Sequence, residues 1–141
     1  MAYRRLDEGD QFWRPSNQLG VQNTDLAKQL EAQKLSARLW RLEPGQASTK
    51  HRHRAQEELY VLLEGTGRMR IGDEVLTLEP RASLVVDPDT VRQLFNDTEA
   101  GQLWLVMGAP PELANTLEMT TDDLEFMYPE GPKAMPPELE S

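Results

Sequence analysis

The sequence predicts an all-β protein of antiparallel strands, a sandwich or barrel, with one short helix before it and an irregular acidic extension after it. Three observations carry this. From Leu35 onward apolar residues fall into short alternating runs, turn residues separate those runs every ten or so positions, and the helical period is confined to the segment before them. Apolar runs such as Leu59 to Leu63 and Leu84 to Val86 fall far short of the roughly 20 residues a membrane helix needs.

Residues 1–34 read as an N-terminal arm with a short helix. The first 18 are polar, carry Tyr3, Phe12 and Trp13, and meet Pro15, which suits an arm better than a regular element. Thr24 or Asn23 can cap a helix from Asp25 to Ala32 with Leu26 and Leu30 on one face. Residues 35–108 read as the β unit. Leu35-Ala37-Leu39 alternates and ends at Pro44-Gly45, and Leu59 to Leu63 runs to Glu64-Gly65. Arg68 to Ile71 turns at Gly72-Asp73 and returns as Val75 to Leu78, a hairpin. Leu84 to Val86 stops at Asp87-Pro88-Asp89, and Val91 to Phe95 and Leu103 to Met107 complete seven strands, enough to close. Residues 109–141 form a Pro-rich extension, helical at most between Pro111 and Leu117 and irregular after it. Leu124, Phe126, Met127 and Tyr128 give it an apolar surface that docks on the barrel or on a second subunit; the other reading is a solvated tail.

Of 141 residues 24 are Asp or Glu and 15 are Lys or Arg, a net charge of −9 that disfavours nucleic acid and anionic membranes as partners. Residues 112–141 hold eight acidic residues against Lys133 alone, so the acidity belongs to the extension and the barrel is nearly neutral. The N-terminus has no apolar run behind Arg4-Arg5, so a cytoplasmic protein is expected. With no Cys, every soft or borderline metal ligand must come from two histidines, His51 and His53.

Those histidines lie in Gly45-Gln-Ala-Ser-Thr-Lys-His51-Arg-His53-Arg-Ala-Gln-Glu57-Glu58, with Tyr60 and Gly65 just beyond. Residues i and i+2 of a strand project from one face, so both imidazoles can reach one point in a barrel interior. A carboxylate from the next strand completes a two-histidine, one-carboxylate set that suits divalent Fe, Mn, Ni or Zn and leaves positions open for a ligand.

Here the sequence resembles the cupin superfamily. The first cupin motif, G-x5-H-x-H-x(3,4)-E-x6-G, is met by Gly45, His51, His53, Glu58 and Gly65, with Glu57 as the carboxylate only if the register slips by one. The resemblance implies a double-stranded β-helix, or jelly-roll, barrel, metal ligands His51, His53 and Glu58, and assembly as a homodimer. The second motif, G-x5-P-x-G-x2-H-x3-N, falls on Arg81, Asp87, Asp89, Arg92 and Asn96, of which Asn96 alone matches. Arg92 stands where the family has its fourth ligand, and a guanidinium has no lone pair to give a metal.

Three roles for Arg92 stay open. It stands beside a three-ligand metal and receives an anionic group, at a repulsion of about 6 kcal/mol for charges about 5 Å apart at an effective dielectric near 20. Or it pairs with Glu58 in a metal-free pocket. Or it swings out to Asp87 or Asp89. Tyr60 is a candidate hydrogen-bond donor to a ligand or a packing residue. Lys50, Arg52 and Arg54 alternate with the histidines and are expected to be solvated; Trp40 and Trp104 are expected in the core or at a subunit interface, and Gln93 on the face opposite Arg92. The function expected is binding of a small polar or anionic molecule inside the barrel at a divalent metal. By resemblance the activity would be that of a metal-dependent dioxygenase or isomerase; the alternative is a non-catalytic, metal-free binding or sensor module with an Arg92–Glu58 pair.

Overall fold

The computed structural model describes residues 2–140. Nine strands are present: β1 (Arg14–Pro15), β2 (Gln22–Asp25), β3 (Ser36–Leu42), β4 (Glu57–Glu64), β5 (Gly67–Ile71), β6 (Glu74–Leu78), β7 (Ser83–Val86), β8 (Arg92–Phe95) and β9 (Gln102–Ala109). They form two antiparallel sheets, one ordered β1-β2-β3-β9-β4-β7 and one ordered β6-β5-β8. The seven strands read from the alternating runs are β3 to β9. Between the sheets lie Leu42, Tyr60, Leu62, Met69, Val86, Leu94 and Trp104, the inward half of each alternation. No helix among the described residues is long and apolar enough to cross a membrane.

The smaller sheet gains an edge from the extended segment 45–51. Gly45 N–H donates to the Asn96 carbonyl and Ser48 N–H to that of Leu94, while His51 and Arg92 exchange both backbone bonds at 3.0 and 2.9 Å. The histidines therefore sit on an extended loop bridged to β8 rather than in a regular strand.

Both flanking segments depart from expectation. The arm is not irregular throughout: Arg14 and Pro15 pair with Asn23 and Gln22, and β2 extends the larger sheet beside β3. Pro15 is tolerated because β1 is an edge. The helix α1 is one turn, Leu26–Gln29, capped not by Asn23 or Thr24 but by the carboxylate of Asp25, which ends β2 and accepts from Lys28 N–H. In the extension the helix lies at α2, Thr121–Met127, not between Pro111 and Leu117. The Thr120 hydroxyl accepts from Asp123 N–H, and Asp122 and Asp123 place negative charge on the first turn, where the peptide dipoles favour it.

The extension is docked, and its acidity has partners. Met127, Tyr128 and Pro136 are buried. Glu130 pairs with Lys50, Glu138 with Arg70, and Gln93 Nε2 donates to the carbonyls of Ser48 and Ala134. The guanidinium carbons of Arg52 and Arg54 lie 4.2 and 4.1 Å from the centre of the Phe126 ring, so these cations, expected in solvent, contact the extension, Arg54 while remaining exposed.

Four motif positions share a left-handed backbone: Gly45 at φ +86°, Gly65 at +85°, Arg81 at +76° and Asp89 at +64°. The first two are glycine. The turn survives at the other two although the side chain has changed, at a cost on the order of 1 kcal/mol each. Arg81→Gly should therefore stabilise the fold by about 1 kcal/mol in urea denaturation, while Arg81→Ala, which keeps the Cβ, should gain nothing.

Candidate metal centre

Glu58 on β4 is buried and faces the barrel interior, whereas Glu57 points to solvent, so the motif register places Glu58 at the site. His51 and His53 approach from the 45–54 segment, with ring centres 5.0 Å apart and planes at 82°. Each Nε2 lies 3.4 Å from Glu58 Oε1, and one donor atom from each of the three residues falls within 4.8 Å of the others. Bonds of about 2.1 Å at tetrahedral angles separate neighbouring donors by about 3.4 Å, so the set has the size of a coordination shell.

The ring protons follow from the outer partners. His51 Nδ1 is 3.0 Å from the Thr49 carbonyl, and His53 Nδ1 is 3.0 Å from Glu112 Oε2. Both partners only accept, so each Nδ1 carries a hydrogen, and Nε2, turned toward Glu58, is the nitrogen that can offer a lone pair to a metal. Burial alone would raise the pKa of Glu58, but the hydrogen bonds and charge that His51 and His53 supply when protonated on Nε2 outweigh it and hold the carboxyl well below its ordinary value. With a cation in place of that proton, three electron-pair donors face one centre and the cation satisfies all of them. His51, His53 and Glu58 could hold a metal ion.

Tyr60 and Arg92 surround the carboxylate. The Tyr60 hydroxyl donates to Glu58 Oε1 at 2.9 Å, and its ring packs on Trp104, so Tyr60 fills the packing role and its hydroxyl proton is committed to the carboxylate rather than to a ligand. Burial, then the Glu58 charge, pushes its pKa well above the ordinary phenol value, so it keeps its proton at neutral pH. Gln56 Nε2 donates to Glu58 Oε2 at 3.2 Å and lies 3.4 Å from His53 Nε2. The Arg92 guanidinium is fully buried behind Glu58. Its Nη2 donates to the Asp87 carbonyl at 3.1 Å, not to a carboxylate of Asp87 or Asp89, and Asp89 instead pairs with Arg52. Its Nη1 is 4.0 Å from Glu58 Oε1, too long for a hydrogen bond, and Nη1 and Nε have no partner.

A cavity of about 790 Å³ opens over this group. His51, His53, Glu58 and Tyr60 line it, together with Trp40 from β3, Arg14 and Asn17 from the arm, and Glu112 and Thr116 from the extension; Arg92 does not. Sequence reasoning missed Glu112, Gln56 and the arm residues. The arm and the extension meet across the mouth, where Gln18 Nε2 donates to the Thr116 hydroxyl at 3.1 Å.

The family model for the cupin domain matches residues 38–108. The chain belongs to the cupin family. A search of the curated proteins finds none that matches. Among solved structures this cupin is similar to a sugar phosphate isomerase of the cupin superfamily from Silicibacter pomeroyi, at 24% identity over 77% of this chain and 76% of that one, TM-score 0.69. It is similar to KdgF from a Halomonas species, at 17% identity over 77% and 96%, TM-score 0.67. A predicted oxalate decarboxylase from Thermotoga maritima gives 17% identity over 79% and 100%, TM-score 0.65. At these identities the likeness shows the fold of this cupin and not its reaction.

Arg92 marks where this cupin departs from the family's ligand pattern. Arg92→His should remove a buried cation and restore a ligand on β8 beside His51, tightening Zn(II) binding at least tenfold in a competition titration. No gain would mean that the three remaining groups do not act on one ion.

Proposed function

We propose that this cupin binds a small, oxygen-rich anion inside its barrel at a divalent transition metal held by His51, His53 and Glu58. The carrying observation is the convergence of two Nε2 lone pairs and one carboxylate oxygen, each imidazole being oriented by an acceptor on its outer nitrogen. Three protein ligands leave positions open for a bound molecule, and Fe, Mn, Ni or Zn there would supply a Lewis acid or, for Fe, a binding position for oxygen. The activity proposed on that centre is that of a metal-dependent isomerase or dioxygenase.

The charge balance supports an anion. Two neutral imidazoles, Glu58 and Arg92 sum to zero, a divalent ion adds two positive charges, and a buried excess of that sign is relieved by a negative ligand. Tyr60 holds Glu58 in place and keeps a proton on the cavity wall. Arg92 acts through its charge from behind the carboxylate, while Arg14, Lys28 and Arg38 line the approach. Two neighbours are named for oxygen-rich anions, a sugar phosphate and oxalate. The metal-free reading has the Arg92–Glu58 ion pair in its favour, a buried pair at 4.0 Å without a hydrogen bond between its members.

The expected partner is a second copy. On the outward side of the larger sheet Leu39, Leu59, Val61, Leu103, Leu105 and Met107 lie in adjacent registers and are half-buried rather than covered by a further layer. This apolar field suits the isologous face of a homodimer.

Metal analysis after mild purification should find about one equivalent of a divalent transition metal per chain, with His51→Ala or His53→Ala lowering Zn(II) affinity at least 100-fold. Less than about 0.1 equivalent, unchanged on incubation with Fe(II), Mn(II), Ni(II) or Zn(II), would sink the proposal. Light scattering at micromolar concentration should give twice the chain mass, shifted toward the monomer by Leu105→Lys; a monomeric wild type would refute the dimer.

A further inference from the structure

The family match ends at residue 108, yet the group that orients one of the two metal-facing imidazoles lies beyond it. Glu112, in the extension just past β9, sets its carboxylate over the loop between the histidines and β4. Its Oε1 accepts from the backbone N–H groups of Ala55 and Gln56, and its Oε2 from Arg54 N–H and His53 Nδ1. Three consecutive amides pin the carboxylate, so His53 meets an acceptor that cannot turn its face. An acceptor at Nδ1 holds the hydrogen there, so that Nε2, the nitrogen aimed at Glu58, is the one able to give its lone pair to a metal. Thr49 does the same for His51 with a backbone carbonyl from within the loop itself.

We infer that Glu112 is a positioning residue for His53, and that through it the C-terminal extension is a working part of the metal site; this rests on the metal reading above. Docking and metal binding are then linked. If a docked Glu112 favours the imidazole that binds metal, bound metal favours docking by the same factor. The rest of the extension moves with Glu112: Arg52 N–H donates to the Met127 carbonyl and Arg52 Nε to that of Phe126. Since Asn115 and Thr116 reach Asn17 and Gln18 across the cavity mouth, metal at the bottom of the pocket would firm up the rim at its top.

Glu112→Gln separates positioning from loop capping. The amide oxygen can still accept from the Ala55 and Gln56 N–H groups, while the amide NH2, at the loss of the Arg54 N–H bond, meets His53 Nδ1 and turns it into an acceptor, moving the ring proton to Nε2. In the metal-free protein, nitrogen-15 NMR of the imidazoles should show His53 change tautomer in this variant while His51 keeps its own. Zn(II) affinity should fall about 10- to 100-fold, and Zn(II) should slow proteolysis of the extension in the wild type but not in the variant. A folded Glu112→Gln protein with the wild-type His53 tautomer and Zn(II) affinity within about twofold of normal would overturn the inference, leaving Glu112 as a loop cap. A wild type that takes up no Zn(II) would overturn the metal reading instead, with the tautomer measurement still deciding the role of Glu112.

Discussion

Residues 50 to 54 alternate cation, histidine, cation, histidine, cation on an extended backbone, and the molecule is organised around the two sides of that segment. Period-two geometry sends His51 and His53 inward and Lys50, Arg52 and Arg54 outward. The inward pair finds Glu58. The outward three find Glu130, the Phe126 ring and Asp123, all in the extension. What anchors the segment is the pair of backbone bonds between His51 and Arg92, because a one-residue slip there would exchange the faces and lose both sets of contacts together.

The barrel and the candidate metal triad were legible because both are written in spacing. Seven alternating runs became seven strands, and Gly45, His51, His53, Glu58 and Gly65 kept the turns and facing of their motif. What the sequence hid was written in partners. Strand β2, Gln-Asn-Thr-Asp, has no apolar alternation because its inward residues line a polar cavity, and pairing with β1 and β3, not patterning, makes it a strand. Helix α2 carried a readable signal, a threonine three residues before an aspartate, that the density of prolines and acids around it obscured. Glu112 carried none, being one carboxylate among eight in the extension. The residue type at Arg92 showed that the family's ligand set was altered, but its direction depends on the Val86 and Asp87 carbonyls, which no local pattern encodes.

Arg92 makes the centre an unusual electrostatic environment. A buried guanidinium with two unpartnered nitrogens is costly, and Glu58 offsets only part of that cost at 4.0 Å. A divalent ion added there would leave two positive charges uncompensated. On the proposed metal reading, metal and anion would then bind together more readily than either alone, since each lowers the charge penalty met by the other.

The cavity walls belong to both ends of the chain as much as to the barrel. Arg14 and Asn17 stand on one side of the mouth and Glu112 and Thr116 on the other, outside the residues that define the family. The barrel is thus not a detachable module. Pared back to residues 38–108 it would keep the triad but lose the acceptor behind His53 and most of the pocket rim, so the recognition surface of this protein has to evolve through its flanks.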